Sequence, residues 1–180
     1  YQRRVRGMRL FVSLGISAEA SKQVQQVQNY FKKDAKFSVE RQHHITLQFL
    51  GEIEEQQVQT IVDQLKLVQL ESFDVTLGKL GCFDRQGQVN IIWMDMEPHE
   101  KVVELHNQVE KCLNNLGAEK RTYNPHMTLV RVKPGLRKEE FEAQFQALIK
   151  YDKVTFKAQS FQLMKSEKSG YQVVADFKLK

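Results

Sequence analysis

Two histidines each stand two residues before a threonine, in stretches that read alike: His44-Ile45-Thr46-Leu47 and His126-Met127-Thr128-Leu129. Side chains alternate faces along an extended strand, so His44 and Thr46 point one way while Ile45, Leu47 and Phe49 point the other. His126 and Thr128 share a face in the same manner, opposite Met127 and Leu129. Each strand would give an apolar face to a core and present an imidazole beside a hydroxyl on its other face. Two imidazoles flanking one phosphorus suffice for acid–base chemistry: one takes a proton from water and the other gives one to the departing alkoxide. A histidine pKa of roughly 6.5 keeps both protonation states accessible near neutrality. Each threonine hydroxyl can donate to a non-bridging phosphate oxygen, where charge grows in the transition state. That scheme calls for no metal and no cofactor. One such tetrapeptide is a weak signal, because most histidines of this kind are edge-strand or capping residues. Two copies, both on amphipathic strands and both followed by Leu, carry the case.

The elements that must position these strands can be read from periodicity. Arg9–Leu14 reads as a strand, and Ser17 as the N-cap of a helix running to about Lys33, with Ala20, Val24, Val27 and Phe31 inward and the glutamines as its solvated face. Short strands are expected at Phe37–Glu40 and at His43–Leu50, the latter closed by Gly51. A helix over Glu54–Leu67 carries Val58, Ile61, Val62 and Leu65 on one side. Phe73–Leu80 and Val89–Met96 have strand character around a turn near Asp84–Gln88. In the second half, His99–Leu116 reads as a helix stopped by Gly117, and His126–Val132 as a strand between Pro125 and Pro134-Gly135. Lys138–Ile149 reads as a helix with Phe141, Phe145 and Leu148 inward. Strands near Val154–Phe156, Phe161–Ser166 and Tyr171–Leu179 close the chain. Strands and helices interleave without a linker, which favours an α+β architecture with mainly antiparallel pairing.

At 180 residues the chain suits a single domain or two lobes sharing a core. Met8 is one reading of the natural start, which sets Tyr1–Gly7 apart as an arm and leaves 8–180 as the domain. The basic opening has no apolar core after it, which speaks against a secretion signal, and no apolar run is long enough to span a bilayer. Cys82 and Cys112 lack CxxC spacing and read as two buried thiols in a reducing cytosol, so the expected location is cytoplasmic. The formal charge of +5 tilts the chain towards polyanions. His99 and His106 have no carboxylate or Cys partners in ligand spacing and read as surface or helix-face residues.

At the two motifs the sequence resembles the 2H phosphoesterase superfamily, named for paired His-x-Thr/Ser segments. Within it the resemblance is to the bacterial and archaeal RNA 2′,3′-cyclic phosphodiesterases, historically called 2′-5′ RNA ligases. Met8–Leu14, Ile45–Glu52, Pro125–Arg131, Leu163-Met164-Lys165-Ser166 and Gly170-Tyr171-Gln172-Val173 carry it. The resemblance implies a bilobal fold of two lobes related by an approximate two-fold axis, each giving one motif strand to a central cleft. The 82-residue offset between the motifs is consistent with that. It implies hydrolysis of a terminal RNA 2′,3′-cyclic phosphate to a 2′-phosphomonoester, with His44 as proton donor and His126 as proton acceptor. The spacing alone does not assign these two roles. Arg131 matches a basic position after the second motif, although strict alternation puts it opposite His126, so a bulge or the strand end must turn it inward. Phe11 and Tyr123 are candidates to stack a terminal base, with packing the alternative for Phe11. The reverse condensation to a 2′-5′ linkage would use the same groups. A bilobal cleft works as a monomer without an obligate protein partner. The competing readings are a non-catalytic RNA-end binding module and a 2′-5′ oligonucleotide phosphodiesterase on the same fold.

Overall fold

The computed structural model describes residues 7–116 and 121–180. Among the described residues nine strands form two antiparallel sheets. In chain order the strands are β1 (Gly7–Gly15), β2 (Phe37–Val39), β3 (His44–Glu54), β4 (Phe73–Arg85), β5 (Gln88–Glu97), β6 (Met127–Val132), β7 (Val154–Ala158), β8 (Ser160–Glu167) and β9 (Gly170–Lys178). One sheet has the order β3-β1-β8-β9 and the other β2-β6-β5-β4-β7. Each sheet therefore holds one motif strand, and the fold is the expected bilobal α+β arrangement.

The lobes are interleaved along the sequence. β1, helix α1 (Ala18–Gln28) and β3 repeat the order of β5, helix α3 (His99–Leu113) and β6, and each motif strand pairs antiparallel with the first strand of its unit. Yet α1 packs on β6 and β7 of the other sheet, and α3 packs on β3. Helix α2 (Glu55–Leu65) lies against α3 and β3. The exchange joins the apolar stripes of α1 and α3 and both sheets in one continuous core.

Several local expectations need correction. Ser17 caps α1 by accepting from the Ala20 amide, but the helix ends at Gln28, and two i→i+3 turns carry Phe31 on into the core. Gln28 is buried, so the glutamine run is not uniformly solvated. β3 does not stop at Gly51; that glycine takes a positive φ of 74° and the strand continues to Glu54. Gly7, placed in the arm by sequence, pairs with Glu54 as part of β1. The helix expected over 138–149 is α-helical only for Lys138–Phe141 (α4), then widens into a π-turn over Glu142–Gln146. Phe145, inside the wider turn, meets Phe31 and Phe37, while Leu148 beyond it is rotated outward and exposed. Helix α3 ends at Leu113 with a 3₁₀ turn to Leu116, and its expected stop, Gly117, lies outside the described residues. Both cysteines are free and half-buried rather than buried. Among the described residues no helix is long and apolar enough to cross a membrane.

Candidate active site

Both motifs depart from plain alternation at the same place. In the β1–β3 pairing Ser13 faces Thr46 and Val12 faces Gln48, so Leu47 is an extra residue. In the β5–β6 pairing Trp93 faces Thr128 and Ile92 faces Val130, so Leu129 is extra. A bulge at the leucine of each His-x-Thr-Leu segment resets the phase of the strand beyond it. Residues three past each threonine then return to the threonine's face. Arg131 is turned to the cleft in this way, and so is Phe49, which alternation had assigned to the opposite side. Phe49 is 61% exposed.

The result is one cavity of about 630 Å³ between the lobes, lined by both histidines, both threonines, Phe11, Phe49 and Arg131, and also by Glu40, Phe83, Ile91 and Tyr171. His44 begins β3, whereas His126 stands one residue before β6 rather than inside it. Tyr123 is not part of this cavity. It lines an adjoining pocket of about 280 Å³ and donates its hydroxyl to the Thr46 carbonyl at 2.8 Å. Burial holds its phenol above the usual range, so it stays a protonated donor.

The two imidazoles are anchored alike. His44 Nδ1 donates to the Gln42 carbonyl and His126 Nδ1 to the Asn124 carbonyl, each at 2.8 Å and each two residues back. A carbonyl only accepts, so the proton on Nδ1 is fixed and Nε2 is left as the atom that gains or loses one. Each ring also leans on two aromatics. Phe11 and Tyr171 flank His44 at centroid distances of 5.3 and 5.2 Å. Phe83 and Trp93 flank His126 at 4.8 and 6.5 Å. Burial is the main reason that both pKa values lie below 6.5. The Gln42 carbonyl and the Glu40 carboxylate pull His44 back up, while Arg131 and His126 push it down. His126 is pulled up by the Asn124 carbonyl. Both rings line the same cavity.

His43 beside His44 is excluded from the cleft by its own bonds. Its Nδ1 accepts from Ser21 Oγ at 2.7 Å and its Nε2 donates to Gln28 Oε1 at 3.0 Å. His106, read by sequence as a surface or helix-face residue, is 6% exposed and lies 3.4 Å from Glu110. His99 likewise has a carboxylate partner, Asp95. Sequence reasoning missed Glu40, Phe49, Phe83 and Tyr171 as cavity residues. Phe49 could have been found from the same bulge that Arg131 required. Tyr171 enters only because β8 and β9 return to the sheet of β1, which no local pattern signals. Among the described residues no three His, Cys, Asp or Glu side chains form a metal-ligating group.

The model of the 2′-5′ RNA ligase superfamily matches residues 16–170. The chain belongs to that superfamily. It is 30% identical over 161 residues, 88% of this chain and 91% of the relative, to the RNA 2′,3′-cyclic phosphodiesterase of Methanocaldococcus jannaschii. The enzyme of that name from Thermotoga maritima is 28% identical over 132 residues, 70% of this chain and 71% of its own. The fold is similar to the apo crystal structure of E. coli LigT, with a TM-score of 0.78 at 19% identity over 97% of this chain and 99% of that one. It is also similar to TT0787 of Thermus thermophilus, with a TM-score of 0.76 at 22% identity over 95% and 97% of the two chains. The superfamily match spans both bulged motifs and ends at Gly170, the residue before Tyr171.

Proposed function

We propose that the protein hydrolyses the 2′,3′-cyclic phosphate at the end of an RNA strand to a 2′-phosphomonoester, with His44 as proton donor and His126 as proton acceptor. The observation that carries this reading is the pair of imidazoles at one cavity, each with Nδ1 committed to a carbonyl and Nε2 left to exchange a proton. Water attacks phosphorus and passes its proton to Nε2 of neutral His126. The bond from phosphorus to the 3′-oxygen breaks, and that oxygen takes the Nε2 proton of the His44 imidazolium. The Thr46 and Thr128 hydroxyls donate to the two non-bridging oxygens, and Arg131 offsets the phosphate charge.

Among the described residues, the Glu40 carboxylate favours the protonated form of His44 while Arg131 and His126 oppose it, and burial lowers both histidines. Relatives named RNA 2′,3′-cyclic phosphodiesterase support the substrate class, and the net charge of +5 suits a polyanion. Phe11, 5% exposed and wedged between His44 and Tyr171, serves as a buttress. The exposed ring of Phe49 is the better face for a terminal base, because His106 already covers one face of Tyr123. The same groups, with a 5′-hydroxyl attacking in place of water and the 3′-oxygen leaving as before, would join it to the cyclic phosphate as a 2′-5′ linkage.

The test is incubation with RNA ending in a 2′,3′-cyclic phosphate in the presence of chelator, with 2′-phosphate as the expected product. Binding without turnover would leave an RNA-end binding module. Turnover of 2′-5′ linked oligomers alone would move the substrate class.

A further inference from the structure

Among the buried polar residues are two helical ones, Gln28 on α1 and His106 on α3. Both donate to a bulged leucine. Gln28 Nε2 donates to the Leu129 carbonyl at 2.9 Å and to the Glu40 carbonyl at 2.8 Å. His106 Nδ1 donates to the Leu47 carbonyl at 2.6 Å. The Leu129 carbonyl also accepts the Glu40 amide at 2.8 Å, so Gln28 is its second donor and ties the bulged residue and Glu40 together, outside the regular ladder.

Each residue also reaches the chain that leads into the opposite histidine. Gln28 Oε1 accepts from His43, the residue before His44. His106 stacks on Tyr123, three residues before His126, at a centroid distance of 3.9 Å and an interplanar angle of 10°. Tyr123 in turn bonds the Thr46 carbonyl. One buried side chain therefore joins the second motif's bulge to the first histidine's approach, and the other joins the first motif's bulge to the second histidine's approach.

We propose that Gln28 and His106 are a matched pair of positioning residues that lock the two bulges and so fix the threonines beside them relative to both imidazoles across the cleft. The pair rests on the reading of the cleft as a phosphodiesterase site. It acts on alignment rather than on substrate contact, so its loss falls on kcat. A misplacement of about 1 Å at such a centre can cost on the order of 100-fold in rate.

The experiment measures kcat and KM on cyclic-phosphate RNA for wild type, Gln28→Leu, His106→Leu, His106→Gln and His106→Asn, each at a temperature where melting curves show it folded. The expected result is a fall in kcat of roughly 10- to 100-fold for the two Leu variants, with KM within about twofold. The Asn amide nitrogen overlays the imidazole Nδ1 and keeps the donation to Leu47, whereas the Gln amide overlays Nε2 and does not. His106→Asn is therefore expected to recover most of the lost rate and His106→Gln little of it. Should the Leu variants fail to fold, the Asn–Gln pair decides alone. Unchanged kcat in the donor-less variants, or equal losses in His106→Asn and His106→Gln, overturns the proposal. Inactive wild type would instead remove the phosphodiesterase reading beneath it.

Discussion

The two motif strands carry the same backbone device with different side chains at its end. In each, a histidine is tied by Nδ1 to a carbonyl two residues back, a threonine comes next on that face, and a leucine bulges out of the ladder. Past the bulge the symmetry stops: β3 delivers Phe49 and β6 delivers Arg131 to the same cavity. The shared part is what attack on one phosphorus needs from both sides. The part that differs is what an asymmetric substrate needs, a flat apolar face on one side and a cation on the other.

Breaking the shared part should cost most. His44→Ala and His126→Ala are each expected to lose on the order of 10²–10⁴ in kcat, and the double variant more than either, because the remaining imidazole of a single variant still makes its own proton transfer. Single-turnover assays check this, and a large loss in only one of the two would break the equivalence of the strands. Thr46→Val and Thr128→Val should each lose on the order of 10²-fold in kcat, the typical loss for one donor to a developing oxyanion.

The divergent part should show in binding. Arg131→Ala is expected to raise KM and to flatten its dependence on salt, as loss of a phosphate contact does. Phe49→Ala should raise KM by roughly tenfold with the salt dependence kept, in line with stacking worth about 1–3 kcal/mol per base. If both variants change the salt dependence alike, the division between aromatic and cationic ends is wrong.

The smallest effect is on stability. His43, His44 and His126 all have folded pKa values held below 6.5, with burial as the largest cause. Between the folded values and 6.5 the unfolded chain binds more protons, so stability falls as pH drops through that window. Urea midpoints should decline on acidification below 6.5, and less so in His44→Asn and His126→Asn.

Much of this was legible in sequence because local rules sufficed. The Ser17 cap, the spacing of His44 from Thr46 and of His126 from Thr128, and the apolar stripes of α1 and α3 are short-range patterns with one physical reading. The bulges were legible only in part. Alternation stranded Arg131 on the wrong face and so demanded a kink, but Phe49 on the apolar side raised no such conflict. Gln28 and His106 were hidden for a different reason. Their partners are backbone carbonyls 101 and 59 residues away, and a polar residue on a helix reads as solvated until that partner is known. The exchange of α1 and α3 between sheets was beyond reach too, since both stripes are apolar enough for either core.

The dependence of kcat/KM on pH in wild type, His44→Ala and His126→Ala puts the paired-imidazole account to its most direct trial. A bell centred below 6.5 is expected for wild type, because both free-enzyme imidazoles titrate below that value. The residual activity of His44→Ala should lose the alkaline limb, which reports the donor, and that of His126→Ala the acid limb, which reports the acceptor. A wild-type profile with one limb only, or a full bell surviving in either variant, would contradict two imidazoles working as acid and base on one phosphorus.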